Sequence, residues 1–211
     1  MKKYTWLIDK GHGGFINGEY VTAPKKLFQH SYEEIFYEGV WNRIIGDGLL
    51  RKLWSKGIHA IDLCPTELDV SLYTRANIAN IYQARYGNCI LLSLHSNAYD
   101  GIPNGVKDGS ASGTEVHAYH KSIFSGKYAD VFGQQYMDDF PAIQFRKASS
   151  TQIHRDSDFA ILRETSCPAL LMECLFYDHY EDYKKLIDPL FQERYINSLV
   201  SSIEKCEIVD V

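Results

Sequence analysis

The chain has 211 residues and a formal net charge of −5, which argues against a general affinity for nucleic acid or anionic membranes. Its hydrophobic fraction of 45% and charged fraction of 23% are ordinary for a globular protein, and its length suits one domain. Five cysteines without close spacing argue against a disulfide framework and a thiolate zinc site. The lysines at the N-terminus precede an apolar run too short for a signal peptide, and no run reaches the ~20 apolar residues of a membrane helix.

Apolar runs alternate with amphipathic segments along the chain. Strands are predicted over residues 4–8, 58–64, 89–95, 113–120, 158–164 and 168–176. Helices are predicted over residues 34–56, 71–87 (or from 69), 128–139 and 189–206. Because strands alternate with helices, we predict an α/β fold. It is a single domain, 1–211, whose mostly parallel, twisted sheet of about six strands carries helices on both faces.

Two of the predicted strands are followed by, or end in, a histidine. The stretch WLIDKGHGG places His12 among glycines after the first strand, and LLSLHSNA places His95 at the end of the third. The carboxyl ends of parallel strands meet at one edge, where open α/β sheets bind ligands, so these imidazoles can converge. A catalytic zinc site keeps three protein ligands, often imidazole and carboxylate. The candidate carboxylates before or within the long helix are Glu33, Glu34 and Glu38.

A further carboxylate interrupts an apolar strand. Glu173 lies within PALLMECLF, where an ionised carboxylate is costly to bury unless it is paired or needed for chemistry. Burial near a metal tunes a carboxylate for proton transfer. The structural alternative is a buried glutamate paired with a cation such as Arg163. The turn-rich segment 99–113 follows His95 and is either a flap over the site or an insertion.

Six short motifs occur in a fixed order along the chain. They are IDKGHGG, EGVWN, SLYTRANIAN, LLSLHSNA, GTEVHAY and PALLMECLF. Together they resemble the zinc-dependent N-acetylmuramoyl-L-alanine amidases, which include phage endolysins and bacterial autolysins, from about Trp6 to Ile203. The resemblance implies a hydrolase that uses one Zn²⁺ per chain to cleave the amide between N-acetylmuramic acid and L-alanine of peptidoglycan.

The resemblance also implies roles for individual residues. In the family the metal carboxylate is followed four residues later by Asn, and Glu38 with Asn42 fits this spacing. Glu38 would therefore join His12 and His95 as a metal ligand, while Glu173 would be the catalytic general base and acid. Glu33 and Glu34 would then belong to the first turn of the helix, where the helix dipole favours acidic residues.

Two residues are predicted to contact substrate, and the chain departs from the family pattern at several positions. The predicted substrate contacts are Asn97 and Arg163. Lys10 stands where proline is common, and Cys174 and Leu175 stand where a glycine is usual. These departures remove neither a predicted metal ligand nor the predicted catalytic glutamate.

The resemblance leaves rival functions and a cellular setting to weigh. The rivals are another zinc peptidase or deacylase on the same fold and a non-catalytic wall-binding module. With no signal peptide and no separate cell-wall-binding domain expected, we predict a phage or prophage endolysin. It would accumulate in the host cytoplasm and reach peptidoglycan through a pore made by another protein. A bacterial enzyme whose export signal has been removed is the alternative, and the oligomeric state is open.

Overall fold

The computed structural model describes residues 3–99 and 111–208, and these residues form ten strands and six helices. The strands are β1 (Thr5–Lys10), β2 (Phe15–Ile16), β3 (Glu19–Tyr20), β4 (Leu27–Gln29), β5 (Ile35–Tyr37), β6 (Ala60–Asp62), β7 (Cys89–Asn97), β8 (Glu115–Tyr119), β9 (Arg155–Ser157) and β10 (Ala169–Phe176). The helices are α1 (Glu38–Ser55), α2 (Leu72–Tyr86), α3 (Ile123–Asp139), α4 (Ala160–Arg163), α5 (Tyr180–Leu186) and α6 (Pro189–Ile208). Within this part of the chain, no helix is long and apolar enough to cross a membrane.

Six strands form one sheet in the order β6-β1-β7-β10-β8-β9. Neighbouring strands are parallel except at β10 and β8, so β8 and β9 run opposite to the other four. The prediction of a mostly parallel sheet of about six strands is confirmed. The segment between β1 and α1, residues 13–37, instead forms two small hairpins, β2–β3 and β4–β5. We call it the hairpin segment.

Alternate residues of the central strands point to two apolar cores, one on each face. Trp6 and Ile8 of β1 join the larger core with α1, α3 and α6, whereas Leu7 joins the smaller core with α2 and α4. The β-strand period of two produces this division. Helices therefore cover both faces, as predicted. The five cysteines are buried and unpaired, which confirms that they form no disulfide framework.

The predicted strand over residues 158–164 is wrong. The sixth strand of the sheet is β9, just before this segment, and Ala160–Arg163 forms the short helix α4. A half-buried strand buries alternate residues, but the two buried side chains here, Ile161 and Leu162, are adjacent and enter the smaller core together. The apolar composition of this segment therefore predicts its burial correctly, but its buried residues do not have the alternating spacing of a half-buried strand.

Other element boundaries also differ from the prediction. Helix α1 begins at Glu38 rather than near residue 34, because Ile35–Tyr37 pairs with Leu27–Gln29 as a hairpin. Glu33 and Glu34 therefore do not lie in its first turn. Helix α3 begins five residues earlier than predicted. Most of the predicted loop 99–113 lies outside the described residues, so its proposed place over the site stays a prediction.

Candidate active site

Two imidazoles and one carboxylate converge at the carboxyl edge of the sheet. His12 follows β1, His95 lies on β7, and Glu38 is the first residue of α1. Glu38 Oε1 lies 2.9 Å from His95 Nδ1 and 3.3 Å from His12 Nε2. Ligand atoms about 2.0–2.2 Å from a tetrahedral zinc lie roughly 3.3–3.6 Å apart. The distance to His12 lies at the lower end of this range and the distance to His95 is shorter, while the donor atoms of all three side chains lie within 4.8 Å of one another. The three side chains thus form a group that can hold a metal ion, and no other such group occurs in the parts of the chain that the structure describes.

Of the three candidate carboxylates, the structure brings only Glu38 to the imidazoles. Glu38 is buried, and its Oε1 also lies 3.4 Å from the backbone nitrogen of Ser96. Glu33 is exposed, and Glu34 accepts a hydrogen bond from Tyr180 at 3.4 Å. Glu33 and Glu34 lie in the turn of the hairpin β4–β5, so strand β5 separates them from the start of the helix.

The turn that carries His12 is held by two arginines. His12 has a φ of 63°, in the left-handed region that residues other than glycine seldom adopt. Its carbonyl oxygen accepts hydrogen bonds from Arg75 at 3.0 Å and from Arg43 at 3.1 Å. Arg75 is itself buried, pairs with Asp9 at 2.5 Å and donates to the carbonyl of Lys10 at 2.8 Å. Because these contacts over-determine the turn, its strained conformation persists.

Two glycines let this turn lie close to its neighbours. A Cβ on Gly11 would lie 2.2 Å from His95 Cε1, and one on Gly39 would lie 1.8 Å from the carbonyl oxygen of Gly13. Asn42 then reaches the turn from α1 and donates to the carbonyl of Gly11 at 3.1 Å. The glycine before the histidine and the asparagine four residues after Glu38 thus have a shared physical role, which is to dock α1 on the β1 turn.

Glu173 lies beside the three candidate ligands. On β10 it is in register with His95 of β7 on one side and with Glu115 of β8 on the other. Its Oε2 is buried and has no hydrogen-bond partner in the described part of the chain. Arg163, the partner that a structural role would have used, instead pairs with Asp158 and Glu164. Glu173 therefore places a carboxyl oxygen without a hydrogen-bond partner next to a candidate metal site.

The carboxyl groups of Glu38 and Glu173 have pKa values shifted in opposite directions. Burial by itself raises the pKa of Glu38, but the neighbouring His12 and His95 outweigh burial and lower it. Burial raises the pKa of Glu173 well above its ordinary value, and the charges of Glu38 and Glu115 raise it further, while His12 and, to a smaller extent, Lys26 oppose that rise. Glu38 is therefore suited to remain an anionic ligand, and Glu173 is suited to exchange a proton.

Two departures from the family pattern have structural explanations. Lys10 is buried and its Nζ binds Asp62 at 2.6 Å and Asp47 at 2.9 Å, so it joins β1 to β6 and α1. Leu175, in place of the usual glycine, has a φ of 60° where the pairing of β10 with β7 shifts register. Glycine adopts this conformation with less strain, whereas the leucine side chain is buried in the larger core.

The two predicted substrate contacts lie in different places. Asn97 is two residues beyond His95 on the same strand, and its Oδ1 accepts a hydrogen bond from the backbone of Ala98 at 2.8 Å. Arg163 is exposed on α4 and lines a pocket together with Ser122 and Pro168, separate from the cleft that His12 and His95 line. The structure thus places Asn97 near the candidate ligands and does not bring Arg163 to them.

Sequence reasoning did not single out two groups near the site. One is Glu115, which is held by Arg146 at 2.6 Å and by His117 at 3.1 Å. The other is Lys26, which lines a cleft of about 510 Å³ together with the imidazoles. Neither residue is marked by a pattern in the nearby sequence. Glu115 and Arg146 are separated by 31 residues, and Lys26 lies among strands of only two or three residues, which are too short to give a clear periodicity.

The structure is similar in fold to several solved amidases. It aligns with the N-acetylmuramoyl-L-alanine amidase from Clostridium difficile 630 over 100% of both chains, with 24% identity and a TM-score of 0.77. The amidase AmiC2 of Nostoc punctiforme aligns over 97% of each chain, with 23% identity and a TM-score of 0.72. The catalytic domain of the CD27L endolysin, which targets Clostridia difficile, aligns over 97% of this chain and 98% of its own, with 18% identity and a TM-score of 0.62.

The sequence itself carries the family assignment. A comparison with curated proteins gives no match. The sequence does match the N-acetylmuramoyl-L-alanine amidase family over residues 7–205, which is nearly the whole chain and includes every residue of the site described above. The chain therefore belongs to the N-acetylmuramoyl-L-alanine amidase family, whose members are hydrolases that degrade peptidoglycan.

Proposed function

We propose that this amidase is a zinc enzyme in which His12, Glu38 and His95 hold the metal and Glu173 transfers protons. Its substrate bond is the amide between the lactyl group of N-acetylmuramic acid and the L-alanine of the stem peptide. The observation that carries the proposal is the convergence of two imidazoles and a carboxylate beside a carboxyl group whose buried Oε2 has no hydrogen-bond partner in the described part of the chain.

The three proposed ligands suit zinc by their chemistry, and their donor atoms all lie within 4.8 Å of one another. Two nitrogen donors and one oxygen donor form a common catalytic zinc set, which leaves a position open for substrate or water. When bound there, zinc supplies Lewis acidity toward a carbonyl oxygen and a water molecule. The docking of α1 on the His12 turn fixes the donors before any ion binds, which reduces the reorganisation that binding requires.

Glu173 supplies the acid–base chemistry in this proposal. Its ionised carboxylate accepts a proton from the attacking water, and the resulting carboxylic acid then gives that proton to the departing amide nitrogen. One carboxyl group can do both because it has no competing hydrogen bond at Oε2 and lies on the strand adjacent to His95. General acid–base groups of this kind contribute about 10²–10⁴-fold in rate. Asn97, beside the ligand His95, is the proposed polar contact to substrate.

The rival functions differ in what they require of the same site. A wall-binding module without activity needs no unpaired buried carboxyl group, and such a group costs stability if it serves no chemistry. Another zinc peptidase or deacylase would use the same donors on a different bond. The bond that is cleaved therefore separates the proposal from its nearest rival.

The test is chemical analysis of purified sacculi after digestion. We expect new free N-terminal L-alanine and no increase in reducing sugars. After treatment with a chelator, the protein should no longer release L-alanine and should no longer lower the turbidity of the sacculi. Reloading with zinc should restore activity. New reducing ends would instead indicate a glycosidase, and a different new N-terminal residue would indicate an endopeptidase.

For the biological setting we propose a phage or prophage endolysin. Similarity in fold to the CD27L endolysin domain supports this setting, while the similar bacterial enzymes favour an autolysin. The gene neighbourhood tests the choice. A flanking gene for a membrane pore and phage structural genes would support an endolysin, and a chromosomal locus without phage genes would contradict it.

A further inference from the structure

Lys26 is a cation on the wall of the active-site cleft. The cleft has a volume of about 510 Å³ and is lined on one side by the hairpin segment and on the other by the start of α2. Pockets of this size hold small ligands or short pieces of larger ones. Lys26 lines it together with His12 and His95.

The backbone at Lys26 is tied directly to the start of α1. Its carbonyl oxygen accepts a hydrogen bond from the backbone N–H of Glu38 at 3.0 Å and another from the hydroxyl of Tyr20 at 3.0 Å. The Tyr20 oxygen in turn accepts from the N–H of Gly39 at 3.0 Å. These bonds fix the backbone of Lys26 relative to the proposed metal carboxylate, although the strands of the hairpin segment are only two or three residues long.

The other charged groups of the cleft are already engaged. Arg75 is paired with Asp9, and the carboxylate of Asp69 accepts a hydrogen bond from the backbone of Ala23 at 3.2 Å. Lys26 is half-buried, and among the described residues no carboxylate forms an ion pair with it. A partly buried ammonium without a counter-ion is suited to an anionic group of a ligand, because reduced exposure to water strengthens the attraction.

We propose that Lys26 is a specificity-determining residue that binds a free carboxylate of the stem peptide. This inference rests on the proposed cleavage of the bond to L-alanine. The first carboxylate beyond that bond belongs to the second stem residue, an acidic residue linked through its side chain so that its α-carboxyl is free. An extended chain spans about 3.3–3.6 Å per residue, so this group lies within roughly 10 Å of the scissile nitrogen. A carboxylate at that distance falls within the same cleft.

The proposal is tested with two muropeptides that differ only in the second stem residue. One carries the free α-carboxylate, and the other carries the neutral α-amide. We expect the parent to have a KM about tenfold lower for the carboxylate, which is the scale of a hydrogen bond to a charged group. Lys26→Met should raise KM for the carboxylate by about that factor and leave KM for the amide nearly unchanged.

Matched variants separate this role from a structural one. Lys25→Met removes the same charge from the exposed neighbouring residue and should keep the parental preference. Lys26→Arg should retain most of the preference, and Lys26→Gln gives a second neutral variant if Lys26→Met unfolds, with folding checked by Tm. The proposal would be overturned if each neutral Lys26 variant changed KM for the carboxylate muropeptide and KM for the amide muropeptide by the same factor. Failure of the parent to release L-alanine-ended peptides from either one would instead overturn the proposed cleavage.

Discussion

The two ends of the active site are built in different ways. At the His12 end, buried side chains hold the backbone in place: Arg75 and Arg43 donate to the His12 carbonyl, and Asn42 docks α1 on the same turn. At the Glu173 end, a buried carboxyl oxygen has no hydrogen-bond partner in the described part of the chain. A metal site must present its donors in a fixed arrangement, whereas an acid–base group must remain free to exchange a proton.

The comparison also shows how the fold handles buried charge. Asp9 is fully buried, and its oxygens are bound by Arg75 at 2.5 Å and by Ser93 at 2.7 Å. Glu38 has two imidazoles beside it, while Glu173 faces Glu115 across the sheet and has no cation within pairing distance among the described residues. The carboxyl group without a cation partner is thus the one to which we assign proton transfer, as expected of a group whose pKa is tuned for chemistry.

The strongest test of this comparison is a pair of substitutions, one at each end. His95→Ala removes a proposed ligand, so we expect loss of both zinc and activity. Glu173→Gln keeps size and packing but cannot accept a proton, so it should bind about one zinc per chain and lose about 10²–10⁴-fold in activity. The measurements are elemental analysis of folded, chelator-washed and reloaded protein, and dye release from labelled peptidoglycan.

Each variant has an outcome that contradicts its assigned role. Near-parental turnover by Glu173→Gln would remove Glu173 from acid–base chemistry, and full zinc occupancy in His95→Ala would remove His95 from the ligand set. A folded but zinc-free Glu173→Gln protein would make Glu173 a ligand and would require a different role for Glu38. The comparison between a fixed end and a free end would then fail.

The second test concerns the stability of the fixed end. Arg75→Met keeps much of the side-chain length but leaves Asp9 buried without its cation. Breaking a buried pair from one side costs about 3–5 kcal/mol, and we expect a loss of that size in urea unfolding. The exposed Arg85→Met on the same helix is the control and should change stability by less than about 0.5 kcal/mol.

A double substitution sharpens this second test. If Asp9 and Arg75 interact as the structure shows, Asp9→Asn combined with Arg75→Met should cost less than the two separate losses together. Strict additivity would mean that Arg75 stabilises the protein chiefly through the carbonyls of Lys10 and His12 rather than through Asp9.

The features that could be predicted from the sequence are those that depend on residues close together in the chain. The strands β1, β7 and β10 each contain an apolar run, and their central place in the sheet follows from burial on both faces. The convergence of the imidazoles could be predicted for the same reason, because each one follows or ends such a strand. The start of α1 was missed because Ile35–Tyr37 is apolar and matches a helical pattern as well as a short strand.

Contacts between distant segments could not be predicted in this way. Nothing near Lys10 in the sequence indicates that it binds Asp47 and Asp62, and nothing near Glu115 indicates Arg146. The missing glycine at Leu175 was visible as a departure from the family, but only the structure shows that the backbone there has a positive φ. Such features depend on packing between elements, and a single sequence does not record it.

The smallest expected effect concerns Glu115, which lies beside Glu173, and the pH dependence of its contribution to stability. Burial by itself raises the pKa of Glu115, but hydrogen bonds from His117 and Arg146 outweigh burial and lower it below the ordinary value of 4.5. A carboxyl whose pKa is lower in the folded state stabilises the protein above the unfolded-state pKa, and this contribution is lost as pH falls through the folded-state pKa. Glu115→Gln should therefore cost about 1 kcal/mol near pH 7, because glutamine retains an acceptor for one hydrogen bond.

The difference in unfolding free energy between parent and Glu115→Gln should stay constant near neutral pH and narrow below pH 4.5. Urea unfolding at several pH values measures it, with the exposed Glu164→Gln as a control for loss of one negative charge. A difference that persists unchanged into strong acid would show that Glu115 acts by shape rather than as an ion. In that case the hydrogen bonds from His117 and Arg146 would not be what keeps a second carboxylate ionised beside Glu173. The contrast between the two ends of the site would then rest on Glu173 alone.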